Sequence, residues 1–300
     1  MTTATLAHSE SLIGTAVPAD TFILLETPQP WEKPALLSPG VPESLRQVIK
    51  PLLALGVRVH LIANEQTSAQ SQRRILIFQR SPQQGMQLEG GYKSWEIQVD
   101  DAADMAPAVE AFFQNGSRRS LSSQRHLMVC THASHNECCG IYGYPFYQDA
   151  IATVQQLGLK HVQPWQISHL GGHRFAPTLI DFPRGRYYGN LDHESLLCLL
   201  KQQGDIEPLL STYRGWSLLP KPLQILEAEL FRQYKWDWLQ GRVAGRILKQ
   251  NRGWAELWFE SPKFTLLRYT AEFENNKLLS YQLTSDQVTH FRTLAQRKTG

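Results

Sequence analysis

The sequence predicts an α/β protein that ends in a small α+β module. Between residues 20 and 204, short apolar runs typical of buried strands alternate with segments whose apolar residues recur at helical spacing. After Gly204 the pattern changes to one helical stripe followed by several alternating stretches. With 300 residues, of which 42% are hydrophobic, the chain can bury cores in two domains or in one large one.

The first 121 residues carry a tail and then an α/β region. We expect residues 1–19 to be a flexible tail and residues 20–121 to form an N-terminal α/β region. Apolar residues at helical spacing predict a helix over residues 42–55, which Gly56 would end and Pro51 would bend or split. The remaining elements are strands at 21–26, 57–62, 74–78 and 95–99 and a helix at 107–113.

A second α/β unit is predicted over residues 122–204. A strand leads into a cysteine-rich loop, Pro145 opens a helix because its missing N–H suits a first turn, and a further strand leads into a histidine-containing loop. A hairpin and a closing helix follow. This β-loop-α-β-loop-β-β-α order is that of a compact thioredoxin-like unit. The elements span residues 126–130, 145–157, 162–168, 177–182, 186–188 and 193–203.

The remaining segment, residues 205–300, predicts a helix and an antiparallel meander. Leucines and aromatic residues share one helical stripe over residues 222–239. Four alternating stretches between residues 242 and 283, separated by Asn-containing turns, predict the strands of the meander. A helix over residues 286–296 would close it. The sequence shows no internal repeat.

Composition excludes several function classes. A net charge of +3 is small for this length, and no nucleic-acid-binding motif is present. No apolar run approaches the roughly 20 residues needed to span a membrane. The N-terminal residues lack the pattern of a secretory signal, so we expect a cytoplasmic protein. Four cysteines are too few for a disulfide scaffold, and their clustering favours metal or redox chemistry.

Two short stretches offer possible metal ligands. Cys130 ends a predicted strand, and Cys138 and Cys139 follow in the same loop. His169 and His173 lie in the second loop, where Gly171 and Gly172 argue against a regular helix and favour a curled loop. Two thiols and two imidazoles from two loops are typical of a four-ligand site. Adjacent Cys138 and Cys139 cannot easily bind one metal together.

Other cysteines and histidines have simpler interpretations. His132 and His135 could be ligands, but we favour solvated loop residues. Cys198 lies within an apolar helix and is expected to be a packed thiol. The spacing of the cysteines and histidines alone leaves open whether they bind a metal.

The residues around these positions resemble the sucrase/ferredoxin-like family of thioredoxin-like [2Fe–2S] proteins. The resemblance covers roughly residues 20–220, and its two paired motifs are its specific part. The matching stretches are Val129-Cys-Thr-His132, Cys138-Cys139, residues 140–145, Ser168-His-Leu-Gly-Gly-His-Arg-Phe-Ala176, Tyr188-Gly-Asn-Leu191, Leu-Leu-Glu-Thr-Pro near the N-terminus and Tyr213-Arg-Gly-Trp-Ser217.

The resemblance implies a [2Fe–2S] cluster bound by Cys130, Cys139, His169 and His173. Cys139 is preferred over Cys138, the alternative thiolate, because the second cysteine of related proteins directly precedes a glycine. The chain has Ser-His-Asn-Glu at 134–137 where the family usually has an Arg-Asp pair before this cysteine, which affects local charge and partner contacts. The implied function is electron transfer to or from a redox partner protein, a reductase or an acceptor, without enzymatic activity of its own.

Two neutral imidazoles would make the cluster less negative than four thiolates do. The resemblance therefore implies a reduction potential closer to the Rieske range of about −150 to +300 mV than to about −400 mV, and a potential that falls as the pH rises. A structural zinc ion bound by the same residues is one alternative. A thioredoxin-like thiol oxidoreductase is another, although the chain lacks the Cys-x-x-Cys spacing usual for that chemistry.

Overall fold

The structure, a computed structural model, describes residues 11–65, 72–81, 90–115, 124–248, 252–263, 266–275 and 277–284. The described residues form a nine-stranded mixed sheet with helices packed on it and a four-stranded antiparallel sheet near the C-terminal end. This architecture confirms the predicted α/β class with its C-terminal α+β module. The helix predicted over residues 286–296 lies outside the described residues.

The first half of the large sheet is a β-α-β-β-β-α unit, which we call the first unit. In it β1 pairs parallel with β2 and antiparallel with β3, and β3 pairs with β4. All the predicted elements of this region are present, and α1 continues through Pro51 rather than splitting there. The elements are β1 (Thr21–Glu26), α1 (Glu43–Ala54), β2 (Arg58–Ala63), β3 (Arg73–Gln79), β4 (Lys93–Val99) and α2 (Met105–Asn115).

The second unit has the element order predicted for residues 122–204. Here β5 pairs parallel with β6 and antiparallel with β7, and β7 pairs with β8. Its elements are β5 (Arg125–Cys130), α3 (Glu137–Gln156), β6 (Val162–Ile167), β7 (Leu179–Phe182), β8 (Arg186–Tyr188) and α4 (His193–Lys201).

The two units share one topology and one sheet. Their strand orders, β2-β1-β3-β4 and β6-β5-β7-β8, are equivalent, and the units meet where β2 pairs antiparallel with β6. The pairing of Ile62 with Ile167 at this junction matches an approximate two-fold relation between the units. One sheet therefore contains strands from both of the regions that the sequence predicts, and it includes a structural repeat that the residues do not reveal.

The rest of the chain extends both the sheet and its core. Strand β9 (Tyr213–Trp216) pairs with β8, and the predicted meander is present as strands β10 to β13. The single helix predicted over 222–239 is two helices, because Lys235 adopts a positive φ of 53° between them. These elements are α5 (Glu207–Leu210), α6 (Lys221–Tyr234), α7 (Trp236–Gln240), β10 (Arg242–Ile247), β11 (Arg252–Glu260), β12 (Leu267–Glu274) and β13 (Lys277–Thr284).

A buried polar network ties the second unit to α6 and α7. Glu227 of α6 is fully buried and accepts hydrogen bonds from Arg186, from Tyr213 at 2.7 Å and from Trp238 at 2.7 Å. One hydrophobic core extends from Ala16 to the strands of the meander. A second, smaller core lies between β1 to β3 and the helices of the first unit.

Residues 11–19, which the sequence predicts as part of a flexible tail, lie against β9. The N–H groups of Gly14 and Thr15 donate to the Arg214 carbonyl at 2.9 and 3.1 Å, and the Ala19 N–H donates to the Ser217 carbonyl. These backbone hydrogen bonds fix the segment where its sequence gives no helix or strand pattern. Among the described helices, none has the length and apolarity required to cross a membrane.

Candidate metal centre

The site begins with Cys130, the last residue of β5. Its side chain is 1% exposed. Its N–H donates to the Thr178 carbonyl at 3.0 Å, and in the parallel ladder it pairs with Ile167, the last residue of β6. The apolar strand β5 thus places one thiol at the C-terminal ends of the parallel strands β5 and β6, where the loop after β6 also begins.

Cys139 comes from the first turn of α3 and not from a loop. Asn136 caps this helix: its side chain accepts from the Cys138 N–H at 3.0 Å, as asparagine commonly does before a first turn. The expectation that Pro145 opens the helix is wrong. Capping by Asn136 starts α3 eight residues earlier, and Pro145 lies inside it. The loop between β5 and α3 is therefore shorter than the sequence predicts, and Cys139 lies on a helix.

Gly143 lets α3 approach the end of β5. A Cβ atom at this position would lie 2.0 Å from the Cys130 carbonyl oxygen, a distance no side chain can accept. Gly140 similarly faces Ala133, at 2.7 Å from a Cβ placed on it. These two glycines therefore permit the close packing that brings Cys139 beside Cys130.

His169 completes a compact group of three donors. It follows β6 by two residues, and its Nδ1 lies 3.7 Å from the Cys139 Sγ. The ligand atoms of Cys130, Cys139 and His169 all lie within 4.8 Å of one another, so the group could hold a metal ion. His173 begins a short 3-10 helix after Gly171 and Gly172, both with positive φ, and is exposed. The centroid of its ring lies 5.8 Å from that of His169.

Hydrogen bonding makes the two sulfurs electrostatically unequal. The pKa of Cys130 lies well below the usual value because the Cys139 thiol donates to it, with further donation from His169 and from the N–H groups of His132 and Leu170; burial opposes this. The pKa of Cys139 is raised because its proton is held by the Cys130 sulfur and because burial and that neighbouring charge disfavour ionisation. Hydrogen bonding within the pair therefore favours the thiolate form of Cys130 and the thiol form of Cys139.

His132 and His135 support the site from the loop between β5 and α3. Both ring nitrogens of His132 are engaged: Nδ1 accepts from the His169 N–H at 3.3 Å, and Nε2 lies 3.0 Å from the Glu32 carbonyl, to which it donates in that tautomer. The His135 ring stacks on the His169 ring at 3.7 Å and 16°. His132 is therefore buried and orients His169, unlike the solvated loop residue that the sequence favours, whereas His135 remains partly exposed and covers one face of the His169 ring.

The first unit forms one wall of this loop. Trp31, 3% exposed, packs its ring edge-on against His132 with 5.8 Å between centroids, and its carbonyl accepts from the Ser134 hydroxyl. Lys33 donates to the His135 carbonyl at 3.3 Å. Trp31, Glu32 and Lys33, which follow β1 of the first unit, thus hold the loop that follows β5 of the second unit.

The structure brings three of the four predicted ligands together and places the fourth next to them. Cys138, the alternative thiolate, is half-buried and outside the group. Cys198 is buried in α4, with its Sγ 3.2 Å from the Asp205 carbonyl, as expected for a packed thiol. Sequence reasoning missed Trp31 and Arg214, which hold the two loops. Arg214 lies inside a stretch that carries the family resemblance, but only its burial reveals its contacts.

Comparisons with known proteins agree with these residues. The family model described as "Sucrase/ferredoxin-like" matches residues 12–215, a range that includes every site residue named above. A curated relative, "Altered inheritance of mitochondria protein 32" of Meyerozyma guilliermondii, is 31% identical over 99 residues. That match covers 30% of this chain and 34% of the relative, so the chain spans only about a third of that protein's length. No solved structure gives a significant match.

Proposed function

Because the chain belongs to the sucrase/ferredoxin-like family, we propose that it is an electron-transfer protein that binds a [2Fe–2S] cluster through Cys130, Cys139, His169 and His173. The observation that carries the proposal is the group formed by Cys130, Cys139 and His169, whose donor atoms lie within 4.8 Å of one another. When bound, such a cluster accepts and releases single electrons.

The distribution of the donors supports two irons with different ligands. The two thiols are buried side by side, whereas His169 and the exposed His173 form a pair on the outer side. Two cysteines on one iron and two histidines on the other is the division found in Rieske centres. The N–H groups of His132 and Leu170 point at the Cys130 sulfur, and donors to a ligating sulfur raise the reduction potential.

We extend the proposal to the fold and the setting of the protein. The second unit is proposed to be a thioredoxin-like domain, and its element order, which agrees with the one predicted from the sequence for such a unit, supports this. The partner proposed is a redox protein, a reductase or an electron acceptor, and the proposed location is the cytoplasm. The exposed side of His173 is the place where such a partner would come nearest to the site.

The thiol-oxidoreductase alternative fits the site less well. Cys130 has the lowered pKa of a nucleophile, but its side chain and that of Cys139 are each only 1% exposed. Exchange with an external disulfide requires direct attack by an accessible thiolate. Burial of both sulfurs therefore favours ligation over thiol exchange.

The proposal is tested by an absorption spectrum and by iron, sulfide and zinc analysis of anaerobically purified protein. A red-brown protein with about two irons per chain is expected for a [2Fe–2S] cluster. A colourless protein with about one zinc would contradict the proposal and make the site a structural zinc site.

Ligand variants then test the two histidines separately. His169→Cys and His173→Cys should retain iron and lower the reduction potential, because each adds a thiolate charge to the cluster. His135→Ala is the matched control, since it removes an imidazole that stacks on His169 without belonging to the proposed ligands. An unchanged potential in His173→Cys would remove His173 from the ligand set.

A further inference from the structure

Arg214, in β9, is a buried cation whose hydrogen bonds are to neutral groups. Its side chain is 1% exposed. Its Nε donates to the Thr15 hydroxyl at 3.0 Å, one terminal nitrogen to the Thr15 carbonyl at 2.9 Å and the other to the Gly171 carbonyl at 3.1 Å. The rings of Phe175 and Tyr187 flank it at 5.7 and 5.5 Å.

This environment contrasts with that of the other buried arginine of the described residues. Arg186 is 4% exposed and forms an ion pair with the carboxylate of Glu227. Arg214 forms no ion pair with a carboxylate among the residues that the structure describes. A buried charge is costly unless it is compensated. Burial lowers the pKa of Arg214 to about 10, so it remains a cation at neutral pH.

The group that can compensate Arg214 is the metal centre. Gly171, whose carbonyl it binds, lies between His169 and His173, and the N–H of neighbouring Leu170 points at the Cys130 sulfur. The turn at Gly172 packs closely against the Arg214 guanidinium. Gly172 has a φ of 77°, and a Cβ atom there would lie 2.6 Å from a terminal nitrogen of Arg214, so the position requires glycine. Burial has the largest effect on the pKa of Arg214, and attraction to the Cys130 sulfur is among the smaller effects that raise it, so the two groups lie within electrostatic range of each other.

We propose that Arg214 is a positioning residue whose buried positive charge stabilises the reduced form of the centre, an inference that rests on the function proposed above. Reduction brings one electron from a donor protein to the site and adds one negative charge. Arg214 is already in place, so no group must move to meet that charge, and in a low-dielectric interior the attraction is strong. The same residue holds the histidine loop through Gly171.

The experiment compares reduction potentials in a titration with dithionite and mediators. Arg214→Gln removes the charge but keeps a donor for the Gly171 carbonyl, and Arg214→Lys keeps the charge. Lys33→Gln is the matched control, because Lys33 is an exposed cation that also bonds to a site loop. At a fixed potential, Arg214→Gln should reduce the ratio of reduced to oxidised protein about tenfold or more, which is about 59 mV for a one-electron couple.

Rescue by lysine separates charge from structure. Arg214→Lys should recover most of the shift, and Lys33→Gln should stay close to the wild type because water screens an exposed charge. A potential in Arg214→Gln equal to that in Lys33→Gln would overturn the inference. Equal loss of iron in Arg214→Gln and Arg214→Lys would also overturn it, since the role would then be structural alone.

Iron analysis of the wild type distinguishes the two proposals. A wild-type protein without iron contradicts the proposed function and the inference with it. A wild-type protein with iron, and a variant with unchanged potential, contradicts only the role of Arg214. If Arg214→Gln does not fold, Thr15→Val serves as the second variant: it removes one neutral acceptor and leaves the charge, so its potential should remain that of the wild type.

Discussion

The two units of the large sheet have the same topology but different ends to their first strands. Glu26 ends β1 and pairs with Ile62, and Cys130 ends β5 and pairs with Ile167. These two positions are equivalent because Ile62 and Ile167 pair with each other at the junction. Glu26 is buried in an ion pair with Arg74 at 3.0 Å, whereas Cys130 belongs to the group of three donors that could hold a metal ion.

This difference shows that the shared topology gives both units an equivalent strand end, and that the side chain at this position determines whether it forms an ion pair or offers a metal ligand. After β1 the chain continues into Thr-Pro-Gln-Pro-Trp, whose Trp31 packs against His132 of the second unit. After β5 it continues into α3, the capped helix that carries Cys139. The first unit supports the loop between β5 and α3, and the second unit carries the candidate metal centre. Four predictions test that contrast, in order of decreasing expected effect.

The largest effect is expected at the sulfurs of the second unit. Cys130→Ser and Cys139→Ser should each abolish iron binding, because a hydroxyl replaces a soft thiolate ligand. Cys138→Ser is the matched control and should retain iron, since Cys138 lies outside the donor group. Iron per chain is the measurement. Retention of iron by Cys139→Ser together with its loss in Cys138→Ser would reverse the assignment of the second thiolate.

The wall formed by the first unit should matter for stability. Trp31→Ala removes a buried indole that packs on His132 and donates to the Thr27 carbonyl at 2.9 Å. Truncation of a buried tryptophan costs about 3–5 kcal/mol of unfolding free energy, measured by urea denaturation. Trp31→Phe should cost less because it keeps a ring. If Trp31→Ala unfolds at the urea concentration of the wild type, the first unit does not support the loop.

The second unit also buries an imidazole, that of His126 in β5. Burial lowers the pKa of His126 from 6.5 to about 4, and its Nδ1 accepts from the Trp165 indole at 3.1 Å. The unfolded chain therefore binds a proton that the folded one does not between pH 6.5 and 4. Stability contributed by neutral His126 is present above pH 6.5 and is lost as the pH falls toward 4.

That loss should reach about 3 kcal/mol of unfolding free energy, from a pKa difference of roughly two to three units. The measurement is urea denaturation at a series of pH values between 7 and 4. His126→Gln keeps an acceptor for Trp165 and removes the titrating group, so its stability should vary less over this range. Parallel curves for the variant and the wild type would exclude His126 as the cause.

The smallest effect is expected at Glu26. Glu26→Gln keeps an acceptor for the Arg74 N–H but removes the charge from a mostly buried ion pair. We expect a cost of about 1–2 kcal/mol in unfolding free energy, because a hydrogen bond to a charged partner is weakened but not lost. Iron content should not change. A loss of iron would mean that the two strand ends are coupled across the junction.

Much of the fold and most of the site could be predicted from the residues. Apolar runs such as Phe22 to Leu25 and alternating stretches such as Trp254 to Glu260 identify strands because packing on a sheet requires those patterns. Cys130, Cys139 and His169 were predicted as ligands from their motifs, and the structure brings them together. Local patterns and motif residues are properties of short segments, so the sequence displays them directly.

What could not be predicted depends on contacts between distant residues or on competing local signals. Pro145 suggested a helix start, but the capping side chain of Asn136 determines where α3 begins. The repeat of the two units is invisible because its equivalent positions, such as Glu26 and Cys130, carry unrelated side chains. Arg214 gives no local signal, since its role depends on Thr15 and Gly171, far away in the chain.

The junction of β2 and β6 also determines how the chain can be divided. Each unit alone would be a four-stranded sheet with a newly exposed edge strand, β2 in the first unit and β6 in the second, and exposed edges present unpaired N–H and C=O groups that recruit other strands. A fragment that carried only the cysteines and histidines would expose β6 along the edge beside them, and self-association would follow. In the whole chain β2 of the first unit pairs with β6, so this edge is not available for association with another chain.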